Sequence, residues 1–301
     1  MPFVTVRDGQ RLHVRVIGRG QPALLLHGMG MDSRYWLPFL LPYLHRFRFY
    51  LPDFRGAGRS AGVRLNQADI FQNHMEDVQD IIGHFGLRDF LLAGYSLGGS
   101  TALHLLRAGG FGGVRRYLHI DQSPCVGNRE GWSYGLWGER QAELFAALRR
   151  LQAVLSENPQ AARLVELPPP ARRQAMDTLA DTLAQIAGKP SLRRTLRAAS
   201  HWPWLFSRLV PSTHLGDLRA TLSSYLSGGH DYRPALAGCA VPVTVLVGMR
   251  SDLYHPEGQM SIARQVHQGR VVRFEKSGHV PLSDEPLRFM RELGRFLQEA
   301  A

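Results

Sequence analysis

A chain of 301 residues, 44% of them hydrophobic and 20% charged, can bury a sizeable core, more readily as one α/β domain with an insert than as two unrelated domains. Its formal charge of +11 rests on arginine, since only Lys189 and Lys276 are lysine; the arginines stand singly or in isolated pairs, without the basic block and interleaved aromatics that grip nucleic acid, and no nucleic-acid partner is expected. The two cysteines, Cys125 and Cys239, lie far apart and outside any metal-type spacing, which argues against a disulfide framework or a zinc site and predicts two free thiols.

Residues 3–6 and 11–17 alternate apolar and polar around Asp8-Gly9, a hairpin signal rather than the charged-then-apolar pattern of a secretory leader. No apolar run reaches membrane-spanning length, so the expectation is a soluble, cytoplasmic protein without stable membrane insertion. PALLLHG at 22–28 is a short continuous apolar run of the kind a central parallel strand shows, and a helix is predicted near 34–44. FRFYLPD ends a further strand at Asp53, and Arg55 to Ser60 form a Gly-rich turn that Asp53 is read as bracing. From Asn66 as N-cap to Phe85, the residues Ile70, His74, Val78, Ile81 and Phe85 recur at helical spacing on one face.

FLLAGYSLGGSTALHLL, residues 90–106, joins a buried strand to a helix through Gly94, Ser96 and Gly98, and VRRYLHID ends another strand at Asp121. From 123 to 234 the pattern is helical, interrupted at Pro159, Pro168 to Pro170, Pro190, Pro203 and Pro211. Strands return at 242–248 and 270–275, separated by a helix near 257–267 and followed by an amphipathic helix from Pro286 to Leu297. Strand alternating with helix on either side of one helical stretch predicts an α/β fold: a mostly parallel sheet built from 1–122 and 235–301, with 123–234 inserted as a helical cap.

A Ser on a sharp strand-to-helix turn with small neighbours presents its hydroxyl above the sheet, which makes Ser96 the candidate nucleophile. Serine needs a base, and the base needs a third group to orient it. His279, in a short loop after the last strand, is the base, whereas His27 and His119 are read as structural and His201, His214 and His230 lie in the insert. Two strand-end carboxylates suit the third role. Asp252, after the penultimate strand, is preferred, with Asp121 as the alternative and a hinge cap as its other reading. The oxyanion of acyl transfer requires two N–H donors, assigned to the backbones of Leu97 at the helix start and Met29 in the Gly-rich His27-Gly-Met-Gly30 loop. No metal or organic cofactor is expected, because no ligand cluster or dinucleotide fingerprint occurs.

These residues resemble the α/β-hydrolase superfamily over nearly the whole chain: HGMG its oxyanion loop, DFRGAGRS its turn after the fourth strand, GYSLGG its nucleophile elbow, MRSD its acid loop and SGHVPLSDEP its histidine loop. The resemblance implies an eight-stranded sheet with a cap after the sixth strand. It also raises Asp121, since relatives among the haloalkane dehalogenases carry the acid after that strand; a Ser nucleophile, unlike the Asp of dehalogenases and epoxide hydrolases, argues against those two reactions. Four of the five Trp, Trp132, Trp137, Trp202 and Trp204, fall in the insert and are read as candidates for lining an apolar acyl or aryl pocket. The leading expectation is a carboxylic-ester hydrolase acting on a small molecule through an acyl-enzyme. Acyl transfer, perhydrolysis, and thioester, lactone or carbon–carbon bond hydrolysis are alternatives on the same triad, and a non-enzymatic ligand sensor is the alternative of another class.

Overall fold

The computed structural model describes residues 2–186, 190–210 and 214–299. Eight strands, β1 (Phe3–Thr5), β2 (Arg11–Gly18), β3 (Gln21–Leu26), β4 (Phe47–Pro52), β5 (Phe90–Tyr95), β6 (Val114–Ile120), β7 (Val243–Gly248) and β8 (Gly269–Phe274), form one sheet in the order β1-β2-β4-β3-β5-β6-β7-β8. The β1–β2 and β2–β4 pairs are antiparallel and every later pair is parallel. This is the eight-stranded, mostly parallel sheet that the resemblance implies. The continuous apolar runs of β5 and β7 are buried along their whole length, as strands covered on both faces must be.

Alternation along the strands sends side chains into two cores. Leu24, Leu26, Leu92 and Val245 meet α2 (Ile70–Phe85) and α3 (Leu97–Gly109), while Leu25, Ala93, Ile120 and Leu246 meet Trp36 and the final helix. The predicted helix near 34–44 is three short turns, of which the middle one, α1 (Leu37–Leu40), is α-helical; Pro38 and Pro42 each restart the chain and prevent one continuous helix. Helix α2 begins later than predicted. Its N-cap is Asp69, whose carboxylate accepts from the amides of Phe71 and Gln72, whereas the Asn66 side chain is drawn to Asp8.

Between β6 and β7 the described residues form helices and no sheet strand: α4 (Gln141–Ser156), α5 (Pro169–Ile186), α6 (Pro190–Ala199), α7 (Pro203–Leu209), α8 (Leu215–Leu226) and α9 (Arg233–Leu236). Pro169, Pro190 and Pro203 stand at the first position of α5, α6 and α7, where a missing N–H breaks no helical bond. Pro211 lies outside the described residues. After β7 come α10 (Pro256–Gln265), then β8, α11 (Pro281–Asp284) and α12 (Pro286–Gln298), whose Phe289, Leu293 and Phe296 cover the second core.

Several histidines inside this frame are held neutral. His119, fully buried, accepts from Tyr117 Oη and donates to the Gln122 carbonyl, and burial pushes its pKa down to about 4. Burial and the nearby Arg107 do the same to His104, also to about 4. These rings ionise in the unfolded chain near the ordinary 6.5 but not in the fold, so the unfolded state takes up more protons and stability falls with falling pH. The loss should span pH 6.5 down to about 4. Urea midpoints measured across that window should drop steadily, and less steeply in His104→Gln; a flat profile contradicts the assignment.

Candidate active site

Strand β5 and helix α3 meet at Ser96, whose backbone (φ 50°, ψ −114°) is one that side-chain-bearing residues rarely adopt. The turn is held by the Ser96 amide on the Ile120 carbonyl and by the Ser96 carbonyl on the Ser100 amide. Small neighbours are required by contact: a Cβ on Gly98 would run into the Leu26 carbonyl, and one on Gly28 would sit 2.7 Å from the Tyr95 ring and 3.3 Å from Ser96 Cβ. The elbow is therefore packed against the ends of β3 and its following loop. Ser96 Oγ lies 3.0 Å from His279 Nε2, and His279 Nδ1 lies 2.8 Å from Asp121 Oδ1.

The carboxylate on His279 is Asp121, which corrects the preference for Asp252. Asp121 follows β6 in the left-handed region (φ 43°), which Asp tolerates better than bulkier residues, and it is fully buried. Its carboxylate also accepts from Ser251 Oγ and from the Gly248 amide, each at 2.8 Å. Burial pushes its pKa up, against the pull of the hydrogen bonds from His279, Ser251 and Gly248. The loop after β7 thus supplies donors to the carboxylate on His279 and not that carboxylate itself. Ser251 turns inward, while the next residue, Asp252, is exposed and borders an outer groove with Arg193 and Arg197.

His279 is fixed from a second side, since Tyr95 Oη donates to its carbonyl at 3.0 Å. Leu97, the first residue of α3, has an amide with no acceptor within the helix, and both Leu97 and Met29 border the cavity that Ser96 faces. The loop carrying Met29 is pinned by His27. The Phe54 amide donates to His27 Nε2 at 3.0 Å, so Nδ1 carries the proton and donates to the Gly28 carbonyl at 2.8 Å. Burial lowers the His27 pKa and keeps this neutral tautomer in place. Asp53 accepts from the amides of Ser33 and Arg59 and from His13, which braces the Gly-rich turn beside the same loop.

The cavity at Ser96 has a volume of about 450 Å³ and is walled largely by apolar side chains, with Met29, Phe54 and Leu97 from the sheet domain facing Trp137, Leu179 and Leu222 from the insert. Of the four Trp nominated for it, Trp137 lines it. Trp132 is buried under the Arg233 guanidinium instead, and Trp202 and Trp204 are 55% and 60% exposed, because the short helix α7 turns Phe206 into the core in their place. Among the described residues no group of three or more His, Cys, Asp or Glu could hold a metal ion, and no helix is long and apolar enough to cross a membrane.

The model of a family described as the alpha/beta hydrolase family matches residues 23–292. The chain belongs to the α/β hydrolase family. Among its relatives, a pimeloyl-[acyl-carrier protein] methyl ester esterase of Nitrosospira multiformis is 26% identical over 288 residues, covering 95% of this chain and 97% of that protein. A non-heme haloperoxidase of Rhodococcus erythropolis is 33% identical over 125 residues, 41% of this chain and 45% of that one. An esterase structure from Exiguobacterium antarcticum superposes with a TM-score of 0.71 at 21% identity, covering 99% of each chain, and shows the likeness of fold. This α/β hydrolase thus has esterases among its full-length relatives. Residues that reading the sequence missed are Ser251 and Gly248, which donate to the Asp121 carboxylate, and Tyr95, which donates to the His279 carbonyl; the one available signal was that Ser251 stands beside Asp252 in the MRSD loop.

Proposed function

We propose that this hydrolase cleaves carboxylic esters of small, largely apolar molecules through an acyl-enzyme on Ser96. The observation that carries this reading is the unbroken chain from Ser96 Oγ through His279 to Asp121, opening on an apolar cavity. Ser96 Oγ attacks the ester carbonyl carbon as His279 Nε2 takes its proton; Asp121, acceptor of the His279 Nδ1–H, stabilises the imidazolium that forms. The amides of Leu97 and Met29 receive the oxyanion, aided by the N-terminal end of α3. Collapse breaks the carbonyl–oxygen bond, His279 returns the proton to the leaving alkoxide, and a water activated by the same His279 releases the acid and frees Ser96.

In this reading residues 123–234 act as a cap that walls the cavity over Ser96 with Trp137, Leu179 and Leu222 and shapes it for an apolar acyl or alcohol group. The full-length relative named as a methyl ester esterase supports a carboxylic ester as the bond cleaved. The test is covalent labelling. A fluorophosphonate should add one equivalent to the protein, located to the peptide carrying Ser96, and should abolish turnover of p-nitrophenyl esters in step. Label on another residue, or turnover that persists in fully labelled protein, refutes the mechanism.

A further inference from the structure

The cavity at Ser96 is not uniformly apolar. His74, on the buried face of α2, lines it, is 4% exposed and stacks on Phe54 with ring centroids 4.5 Å apart. Among the described residues neither of its ring nitrogens has a hydrogen-bond partner; Nδ1 is enclosed by protein, which leaves Nε2 as the nitrogen able to meet a ligand. Burial, and then the nearby His27 and Arg55, push its pKa down to about 3, so the ring is neutral in any ordinary buffer. From the insert, Tyr225 lines the same cavity, and its hydroxyl also has no partner among the described residues. Tyr225 packs on Phe71 with centroids 5.2 Å apart, one helical turn along α2 from His74. His74 Nε2 and the Tyr225 hydroxyl both belong to residues lining the cavity and are not held by protein partners among the described residues, so each is free to hydrogen-bond an occupant.

The charged groups on the same wall are already taken. Arg55 is bidentate on Asp77 at 2.7 Å and also binds Asp8 and the Arg64 carbonyl; Arg34 is held by Asp32, and Asp217 by Arg64 and the Leu65 amide. Among the described residues no cation on that wall is left over for a carboxylate. We propose that His74 and Tyr225 form a recognition point for an uncharged hydrogen-bonding oxygen, a ketone or a hydroxyl, carried by the ester away from its scissile carbonyl. The proposal rests on the ester-hydrolase reading of Ser96 and adds the substrate class: oxygenated, uncharged esters in preference to simple alkyl ones.

The test uses p-nitrophenyl esters whose acyl chains end in a methyl ketone, each paired with the straight-chain ester of equal carbon number. The wild-type enzyme should favour the best ketone ester by about tenfold or more in kcat/KM, the worth of one buried hydrogen bond. In His74→Leu the ratio should fall to about one, and His74→Gln, which keeps a donor and an acceptor, should restore part of it. A ratio near one throughout the wild-type series, or an equal loss on both esters in His74→Leu, overturns the proposal, the second because a merely structural ring would act on both. Stronger preference for chains ending in a carboxylate overturns it as well. Fluorophosphonate labelling of Ser96 tests the underlying reaction separately, and calorimetric binding of both esters to Ser96→Ala reads the same ratio without turnover, so failure of the hydrolase reading is distinguishable from failure of this one.

Discussion

Asp121→Asn lowers kcat on a chromogenic ester by on the order of a thousandfold to ten-thousandfold, while Asp252→Asn leaves it within about twofold. Asparagine preserves the shape of the buried site, but its amide offers a donor where the His279 Nδ1–H needs an acceptor, so the imidazole settles in a tautomer that cannot take the Ser96 proton. The same substitution disturbs the bonds from Ser251 and the Gly248 amide, both of which converge on the Asp121 carboxylate. Asp252 is exposed beside an outer groove, so neutralising it changes a surface charge and little else. Circular dichroism and denaturation midpoints on both variants separate a lost orientation of His279 from a lost fold. If Asp252→Asn proves the crippled variant and Asp121→Asn the active one, the role proposed for Asp121 on His279 is wrong.

Ser96→Gly removes turnover by on the order of a thousandfold or more and leaves the fold as stable as the wild type or more so. The first effect follows from deleting the hydroxyl that lies 3.0 Å from His279 Nε2. The second follows from the backbone. At φ 50° and ψ −114° a side-chain-bearing residue carries strain of about 1–3 kcal/mol, which glycine relieves, against about 0.5–1 kcal/mol for the extra freedom of glycine in the unfolded chain. The Ser96 amide and carbonyl keep their bonds to Ile120 and Ser100 in either case. A variant that is inactive and shows an unchanged or raised denaturation midpoint fits a site where stability is given up for function. Full activity in Ser96→Gly removes Ser96 from the mechanism, and an unfolding free energy lowered by more than about 1 kcal/mol removes the strain argument.

Much of the molecule is legible in the chain because the information is local. The apolar runs of β3, β5 and β7 mark strands buried on both faces, the spacing of Ile70, His74, Val78 and Ile81 marks the inner face of α2, and proline at the starts of α5, α6 and α7 punctuates the insert. Ser96 and His279 are legible for the same reason, since each stands in a short segment whose flanking strand and helix declare where the loop must be. The side of the cavity on which an insert residue falls is not local. Trp137 and Trp202 look alike in sequence, yet one lines the cavity and the other faces outward, because the docking of short helices on one another decides which flank of each is covered.

The order of elements and the placement of a serine elbow and a histidine loop over the sheet were determined by the sequence alone, through periodicity and turn chemistry acting within a few residues. Which carboxylate serves His279 was decided by the tertiary structure. Asp121 and Asp252 both follow the ends of adjacent parallel strands, and nothing within either segment ranks them. The choice is made where the β6 and β7 loops meet: the left-handed turn at Asp121 and the inward donors of Gly248 and Ser251 bury one carboxylate on the imidazole, and the same turn that brings Ser251 inward carries Asp252 out to solvent.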